Sequence, residues 1–460
     1  MKTNVCVQGL GFVGSAMSVA VAGAINATGE RAYQVIGLDL PNDVGTARVK
    51  SINRGYFPFE AEDESLVKAT REAYEAGNLR ASTDPAVLSE AEIVVVDVHL
   101  DIPVDPRMAV PDVSSFLGAI RTVGSFAKPD ALIIVETTVP PGTCANLVSP
   151  VLAAEFMKRG LSGDSFHLAH SYERVMPGPE YLSSITNYWR VYAGHTEEAA
   201  DRCADFLSTI INVSQYPLVR LSSTKASETA KILENTYRAV NIALIDEWTK
   251  FAEKLDVDLH EVVKAIGMRP THSNIRSPGL GVGGYCLTKD PLFGPAAANL
   301  FLDEDMPFPF ARLAVETNQN MPLHVVERVK AIARGVKAPA RVLLCGVSYR
   351  SDVGDTRYSP SELLAKRLLD EGYELVCHDP YVGYWDELDI EVRKTMPKAD
   401  DIDIVILAVS HRQYGEFNFS DWCSPTTHFL DTSSVLSTAS REELIKLGLQ
   451  VHVVGRGVTD

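Results

Sequence analysis

The segment GVGGYCLTKD, residues 281–290, contains the side chains that most directly suggest covalent chemistry. Cys286 follows a glycine-rich turn and precedes Asp290 by four residues. A thiolate is a strong nucleophile, and a carboxylate at this spacing could activate water to release what the sulfur has bound. Free cysteines are more often buried and inert, so the segment alone leaves both interpretations open.

Lys231 and Asn235 in ETAKILENTYRAV are the first candidate partners for such a nucleophile. They are four residues apart and therefore share one face of a helix. About 3% of an unperturbed thiol is ionised at pH 7, so a nearby cation matters, and Lys231 is the natural candidate. The structural alternatives are a solvated helix charge for Lys231 and a polar surface residue for Asn235.

Two further segments place polar residues where predicted strands end. SYERVMPG supplies Glu173 and Arg174, which a loop ion pair would also explain. Ligands of open α/β sheets gather at the carboxyl ends of strands. The second segment, VETTVPPGT, supplies Glu136, Thr137 and Thr138.

VCVQGLGFVGSAMSVAVA has the G-x-G-x-x-G spacing between an apolar strand and a helix rich in small residues. The glycines allow a tight turn, a close approach of backbone to pyrophosphate and close packing of helix on strand, while the helix N-terminus offers free amides. The next strand ends in Asp39, which favours NAD over NADP because a carboxylate repels a 2′-phosphate. A turn whose glycines serve packing alone is the alternative. The predicted cofactor contacts here are Gly9, Gly11, Phe12, Val13, Gly14 and Asp39.

Two series of β-rich runs predict two α/β domains with parallel sheets. The first consists of NVCVQ, YQVIGLD, EIVVVDV, ALIIVET, FHLAHS and WRVYAG; the second begins near Arg341 with RVLLCG, YELVCHD, DIVILAV, HFLDTSS and LQVHVVG. Between them, apolar residues recur at three- and four-residue spacing from Ala226 to Leu255 and predict one helix of roughly 45 Å. Its apolar stripe is expected to pack against a second subunit, an intramolecular core helix being the alternative.

Composition limits the classes of function. A formal net charge of −17 makes nucleic acid and anionic membranes unsuitable partners. Seven scattered cysteines with no C-x-x-C pair argue against a disulfide framework or a metal site and favour the cytoplasm. The N-terminus reads as a strand without a signal segment, and no apolar run approaches the ~18 residues of a membrane span.

The motifs together resemble the UDP-glucose/GDP-mannose dehydrogenase family over nearly the whole chain. The resemblance rests on the glycine fingerprint, INRGYFP, VETTVPPGT, SYERVMPG, ETAKILENTYRAVNIALIDE, GVGGYCLTKDP and SYRSDVGDTRYSPSELLAKRLLDEGYELVCHDPYV. It implies two Rossmann-like parallel-sheet domains joined by a long central helix and a helical dimerisation region. We expect an NAD-binding domain at 1–215, a central region with the cysteine loop at 216–325 and a C-terminal UDP-binding domain at 326–460.

The resemblance also implies a reaction and residue roles. Two hydride transfers would convert the C6 hydroxyl of a nucleotide sugar into a carboxylate through a thiohemiacetal and a thioester on Cys286, supplying uronic acids for surface polysaccharide. Lys231 and Asn235 would stabilise the oxyanion, and Asp290 would activate water with help from Glu173 and Thr138. Thr138 and Glu136 would also contact NAD. The substrate contacts implied are Arg174, Lys231, Asn235, Arg269, Arg276, Gly283 and Arg357, with Arg269 reaching the neighbouring subunit's substrate.

Two departures from the family pattern bear on binding details. Thr288 stands where many relatives have proline, and VHLDIPVD at 98–105 lacks a Thr-Pro pair. SYERVMPG is nearer to the form of enzymes for UDP-N-acetylhexosamines, whereas GGYCLTKD and GDTR lean towards UDP-glucose enzymes, so the sugar stays open. A single-step β-hydroxyacid-type dehydrogenase and a non-catalytic NAD-sensing protein are the rival functions.

Overall fold

The computed structural model describes residues 2–102, 111–336 and 338–457. The chain forms two compact units, Met1–Glu234 with Leu292–Pro307 and Asn235–Pro291 with Phe308–Asp460. The boundary between them falls within one long helix. Residues 103–105 of the departure at 98–105 lie outside the described residues.

The first unit contains an eight-stranded sheet of order β3-β2-β1-β4-β5-β6-β7-β8. The strands from β3 to β6 are parallel, whereas β7 pairs antiparallel with β6. The strands are β1 Thr3–Gln8, β2 Tyr33–Leu38, β3 Leu79–Ser82, β4 Ile93–Val96, β5 Ala131–Val135, β6 Phe166–His170, β7 Val191–Gly194 and β8 Val219–Arg220. Because β1 lies between β2 and β4, the chain order reverses at β1, and the carboxyl ends of the strands at such a reversal are where open α/β sheets bind ligands.

Helices cover this sheet and bury its apolar strands. Val95 and Ile133 are fully buried, as expected for strands covered on both faces. The helices of this unit are α1 Phe12–Gly23, α2 Asp43–Ile52, α3 Glu64–Glu75, α4 Ser114–Phe126, α5 Ser149–Lys158, α6 Tyr181–Thr186, α7 Glu197–Ile210, the first part of α8 Thr224–Lys254, and α10 Phe293–Phe301.

The second unit is built on a five-stranded parallel sheet of order β10-β9-β13-β14-β15. A separate pair, β11 and β12, is antiparallel. The strands are β9 Arg341–Cys345, β10 Glu374–His378, β11 Tyr384–Trp385, β12 Ile390–Glu391, β13 Ile404–Leu407, β14 His428–Asp431 and β15 Gln450–Val453. The helices are the rest of α8, α9 Leu259–Gly267, α11 Pro309–Ala333, α12 Pro360–Asp370, α13 Arg412–Glu416, α14 Phe419–Trp422 and α15 Thr438–Lys446.

The predicted strands and the long helix are confirmed. Each β-rich run contains a strand, and α8 has 31 residues, or roughly 46 Å of helix. The short strands β3, β8, β11 and β12 were not predicted, and neither was the reversed direction of β7. No helix among the described residues is both long and apolar enough to span a bilayer.

Candidate functional site

The turn between β1 and α1 is shaped for the close approach of a ligand. Gly9 has φ +97°, and a Cβ there would lie 2.6 Å from Asp97 O. A Cβ at Gly14 would lie 1.9 Å from Gly9 O, so α1 packs directly on the turn. Gly11 caps α1 without a side chain, which leaves the first amides of the helix to a ligand. These contacts require glycine, and the first backbone N–H groups of α1 have no side-chain cap. The turn therefore fits a dinucleotide pyrophosphate.

Aromatic and charged residues flank this turn. Phe12 stacks on Phe59 with ring centroids 4.1 Å apart, and the Arg48 guanidinium lies 5.3 Å from the Phe59 ring. Arg48 Nη1 also donates to Asp39 Oδ2 at 3.2 Å. The predicted ribose-binding carboxylate is therefore oriented by an arginine that sequence reasoning missed.

The loop after β5 is fastened to α8 by a buried glutamate. Glu228 accepts hydrogen bonds from the backbone N–H groups of Gly142 at 2.5 Å and Cys144 at 2.7 Å. Burial raises the pKa of Glu228, and the two N–H donors oppose that shift. Since Glu228 is one turn before Lys231, it ties the helix carrying Lys231 to the loop carrying Thr138.

Glu136, the last residue before Thr137 in that loop, lies in a cluster of buried charges. Its carboxylate pairs with Arg190, whose side chain is 4% exposed. The hydroxyl of Thr137 donates to Val98 O at 2.8 Å, while Thr138 is partly exposed. The contact of Glu136 and Thr138 with NAD stays a prediction.

Lys231 and Glu173 meet in the first unit. Lys231 Nζ donates to Glu173 O at 2.8 Å and lies 3.7 Å from Glu173 Oε1. The ammonium also lies 5.3 Å from the centroid of the Tyr172 ring. Lys231 is 6% exposed, so the alternative of a solvated helix charge is wrong.

Arg174 is held by Glu234 rather than by its neighbour Glu173. Its Nε donates to Glu234 Oε1 at 3.0 Å and its Nη2 to Oε2 at 2.7 Å, and the guanidinium stacks on Tyr172 at 5.2 Å. This bidentate pair fixes the plane of the guanidinium. The guanidinium of Arg174 is therefore already oriented for the substrate contact predicted for it.

The second unit contains the cysteine loop. Cys286 is exposed, unlike the buried Cys345 and Cys377, so the thiol can meet a substrate. Gly283 and Gly284 precede it because a Cβ at either position would lie 2.7 Å from Tyr349. The contact of Gly283 with substrate stays a prediction, and packing against Tyr349 by itself requires glycine at this position.

Asp290 occupies a buried position in the same loop. Its N–H donates to Cys286 O at 2.8 Å, which closes one turn between the two residues. Asn235 Nδ2 donates to Asp290 Oδ2 at 2.7 Å, and Lys289 Nζ donates to Oδ1 at 2.9 Å. Asn235 is 3% exposed and so is not a surface residue. Lys289 was missed, although its place beside Asp290 in the sequence was a signal.

Thr288, the departure from the family pattern, has a defined partner. Its hydroxyl donates to Gly284 O at 2.9 Å. A proline at this position would lack that bond. The threonine therefore braces the loop that carries Cys286.

A cleft of ≈ 320 Å³ opens at the carboxyl ends of β9, β13 and β14. As in the first unit, the strand order reverses there, at β9. Sequence reasoning missed the positions of Tyr349 and Arg350, which follow β9. The lining residues include Pro278, Leu280, Tyr349, Arg350, Ser410 and Ser433.

Buried polar residues fix the turn that carries Tyr349 and Arg350. Asp379 Oδ2 accepts from Val347 N at 2.9 Å, and His411 Nδ1 accepts from Asp352 N at 2.8 Å. His411 Nε2 faces both Ser348 Oγ at 3.2 Å and Asp379 Oδ2 at 3.1 Å. Because serine and aspartate share one ring nitrogen, this is not a relay for a serine nucleophile.

The three remaining predicted arginines differ in their surroundings. Arg357 is bidentate to Asp355, with Nε to Oδ1 at 2.9 Å and Nη2 to Oδ2 at 2.6 Å. Arg269 and Arg276 are exposed on the segment after α9. Their contacts with substrate stay predictions.

One cluster in the described residues has side chains suited to a metal ion. Asp130, His167 and Glu198 converge at the amino ends of β5 and β6. Arg202 Nη1 already pairs with Asp130 Oδ1 at 3.2 Å. The cluster therefore lies at the edge opposite the glycine turn and is explained as an ion-pair network.

Comparisons with known proteins agree with this geometry. Models of the UDP-glucose/GDP-mannose dehydrogenase family match residues 3–211 (NAD binding domain), 225–320 (central domain) and 343–438 (UDP binding domain). The chain is 30% identical over 462 residues to a UDP-N-acetyl-D-mannosamine dehydrogenase of Methanocaldococcus jannaschii, covering 99% of this chain and 97% of the relative.

Solved structures resemble the whole chain. A UDP-D-ManNAc dehydrogenase from Pyrococcus horikoshii matches with a TM-score of 0.82 at 24% identity, over 99% of this chain and 100% of that one. An NDP-N-acetyl-D-galactosaminuronic acid dehydrogenase from Methanosarcina mazei Go1 matches with a TM-score of 0.79 at 25% identity, over 99% and 96%. The predicted fold class and NAD as cofactor are confirmed. By these matches, the chain belongs to the UDP-glucose/GDP-mannose dehydrogenase family.

Proposed function

We propose that this NAD-dependent nucleotide-sugar dehydrogenase oxidises the C6 hydroxyl of UDP-N-acetylmannosamine to a carboxylate, with Cys286 as the covalent nucleophile. The observation that carries the proposal is the cysteine loop. It presents an exposed thiol one turn before a buried carboxylate that Asn235 and Lys289 hold in place. Nucleophile and water-activating group are thus supplied by one short segment.

The reaction needs a group that retains the aldehyde between two oxidations. The first oxidation removes a hydride from C6 and a proton from the hydroxyl. The thiolate of Cys286 then adds to the aldehyde carbon, and loss of a second hydride from the thiohemiacetal leaves a thioester. Bound NAD supplies the hydride acceptor for each step. Water attacks the thioester, the C–S bond breaks, and the carboxylate leaves while sulfur regains its charge.

The remaining roles follow the family resemblance. Lys231 and Asn235, one turn apart on α8, would donate to the oxygen that carries negative charge in the addition and hydrolysis steps. Asp290 would accept a proton from the attacking water, with Glu173 and Thr138 assisting. Arg357 would bind the nucleotide sugar, to which Arg174, Arg269 and Arg276 would add further contacts.

The identity of the sugar rests on two supports. The relative from Methanocaldococcus jannaschii is named for UDP-N-acetyl-D-mannosamine. SYERVMPG has the glutamate–arginine pair of the enzymes for UDP-N-acetylhexosamines, and here Glu234 orients the arginine. For the diphosphate we propose the cleft that Tyr349 and Arg350 line, since the guanidinium suits phosphate oxygens.

The division at 1–215, 216–325 and 326–460 into NAD-binding, central and UDP-binding parts is likewise proposed, as is a cytoplasmic location. The scattered cysteines support that location, since none of them forms a disulfide in the described part of the chain and a reducing compartment keeps thiols reduced. The product would be an acidic sugar nucleotide for a polysaccharide.

The NADH yield per sugar across a panel of nucleotide sugars tests the function. We expect two NADH for each molecule of UDP-N-acetylmannosamine and a C6 carboxylate as product. A yield of one with a stable carbonyl product would favour a single-step dehydrogenase. Faster turnover of UDP-glucose or UDP-N-acetylgalactosamine would replace the proposed sugar without affecting the cysteine mechanism.

Asp39 is expected to set the preference for NAD. Its carboxylate pairs with Arg48, so Asp39→Ala removes the repulsion of a 2′-phosphate and frees a guanidinium that attracts one. The ratio of kcat/KM for NAD to that for NADP should fall by at least about tenfold. Asp43→Ala, at the exposed start of α2, serves as the control. An unchanged ratio in the Asp39 variant would contradict this assignment.

The apolar stripe of α8 is expected to form a dimer interface. Tyr237, Leu244, Trp248 and Phe251 are each about half exposed, from 48% to 52%, although all are large and apolar. An exposed apolar stripe of this kind fits a self-complementary contact on a two-fold axis. We therefore propose a homodimer.

Sedimentation at micromolar concentration should show the parent chain as a dimer. Leu244→Glu with Trp248→Glu should raise the dimer dissociation constant by at least about 30-fold, since buried aromatic anchors dominate interfaces. Val67→Glu on α3, whose side chain is 47% exposed, is the matched control. A monomeric parent chain would refute the interface.

A further inference from the structure

Asp97 lies directly beneath the glycine turn. It follows β4, its N–H donates to Gln8 O at 2.8 Å, and its carbonyl is the group that excludes a side chain at Gly9. A Cβ at Gly14 would lie 3.2 Å from Asp97 Cβ. A change at Asp97 is therefore felt by the turn that receives the cofactor pyrophosphate.

The carboxyl of Asp97 faces a second acid on the neighbouring strand. Asp97 and Glu136 directly follow Val96 and Val135, which pair in register on β4 and β5, and the N–H of Glu136 donates to Val96 O at 3.0 Å. Asp97 Oδ2 and Glu136 Oε2 are both shielded from solvent, and neither has a hydrogen-bond partner among the described residues. Two adjacent ionised carboxylates without donors for these oxygens would repel each other, so this arrangement favours a neutral form of one of the two.

The charges around the pair lead to the same conclusion. Arg190 is the cation paired with Glu136, and it balances one carboxylate. Glu173 adds a further negative charge, while the buried thiol of Cys203, on α7, is neutral because burial raises its pKa to about 12. Burial, followed by the charges of Glu136 and Glu173, raises the pKa of Asp97 well above its usual value.

We propose that Asp97 and Glu136 share a single proton. In this pair Asp97 is a neutral hydrogen-bond donor that positions the glycine turn between β1 and α1, which receives the cofactor pyrophosphate. With the proton present, the two acids and Arg190 sum to zero charge under the pyrophosphate. Loss of the proton leaves two carboxylates in contact and one net negative charge below an anionic ligand. Asp97 is thus a positioning residue for NAD binding, and this role does not depend on the sugar or on Cys286.

The sign of the pH dependence follows from the raised pKa. Asp97 is protonated in the folded chain above the usual pKa of an aspartate, so the favourable neutral form is lost as pH rises through the raised value. Dinucleotide affinity should therefore fall with rising pH. Asp97→Asn keeps a neutral donor of the same shape, so its affinity should be independent of pH over the same range.

Calorimetric titration of the full chain with NADH, from about pH 6 to about pH 9.5, tests the proposal. We expect the dissociation constant of the parent to rise at least about tenfold, while that of Asp97→Asn stays within about twofold of the parent's low-pH value. Asp97→Ala should bind weakly at every pH. Asp205→Asn, on the exposed face of α7, should behave like the parent.

Infrared difference spectra provide a readout independent of affinity. The spectrum of the parent minus that of Asp97→Asn should show the carbonyl stretch of one protonated carboxyl at neutral pH. A parent affinity independent of pH, or the same pH dependence in Asp97→Asn, would overturn the proposal. Thermal unfolding of each variant establishes that it is folded under the conditions of the titration.

Discussion

Replacing Cys286 by serine is expected to lower the rate of carboxylate formation by at least about 10³-fold, the scale of loss when an enzyme loses its nucleophile. A serine hydroxyl is almost entirely un-ionised at neutral pH and adds poorly to an aldehyde. Because Cys286 is exposed, the exchange of sulfur for oxygen disturbs no core packing. The defect should therefore be chemical and not structural.

The measurement is the formation of acid and NADH from the nucleotide sugar, together with thermal unfolding and UDP binding. Unfolding temperature and UDP affinity should match the parent, and Cys423→Ser, at a partly exposed cysteine of the same unit, should retain full activity. At most one NADH per site should appear quickly in Cys286→Ser. If the variant kept the parent rate, Cys286 would have only a structural role in its loop, and the covalent mechanism would be wrong.

Features encoded within a few residues could be predicted from the sequence. The glycine turn is formed by a strand, three glycines and a helix that follow one another in the sequence. The helix α8 is indicated by apolar residues that recur at three- and four-residue spacing. The loop from Gly283 to Asp290 is also local, since its closing bond joins Cys286 to Asp290. In such segments spacing along the chain determines the geometry directly.

Features that depend on partners far along the chain could not be predicted. Glu228 anchors the backbone of Gly142, 86 residues away, and Arg190 pairs with Glu136 across 54 residues. No local pattern distinguishes these residues from surface charges. The antiparallel direction of β7 likewise depends on the connection from β6 through α6. A run of apolar residues does not indicate the direction of a strand.

Asp97 shows why burial is the missing information. In the sequence it is one acid near the end of EIVVVDV, where an acid usually faces solvent. The pairing of β4 with β5 brings it beside Glu136, and its Oδ2 is shielded from solvent in the folded chain. The protonation of a side chain thus depends on tertiary contacts that the spacing of residues does not report.

Asp290→Asn is expected to separate the formation of the thioester from its hydrolysis. In the parent, the Asp290 carboxylate accepts hydrogen bonds from Asn235 and Lys289. An amide of the same shape is too weak a base to accept a proton from water. Loss of a general base slows its step by about 10²- to 10⁴-fold. Since both hydride transfers precede that step, the variant should release two NADH per site in a burst and then turn over slowly.

Mass spectrometry of the acid-quenched Asp290→Asn variant should find the peptide that contains Cys286 heavier by the sugar acyl group. Hydroxylamine, which cleaves thioesters, should remove the added mass. The double variant Cys286→Ser with Asp290→Asn should show neither the burst nor the adduct, because no sulfur is present to hold the acyl group. A slow Asp290→Asn variant without burst or adduct would place Asp290 before the thioester. Its hydrogen bonds to Asn235 and Lys289 would then serve to shape the cysteine loop, and the water would need another base.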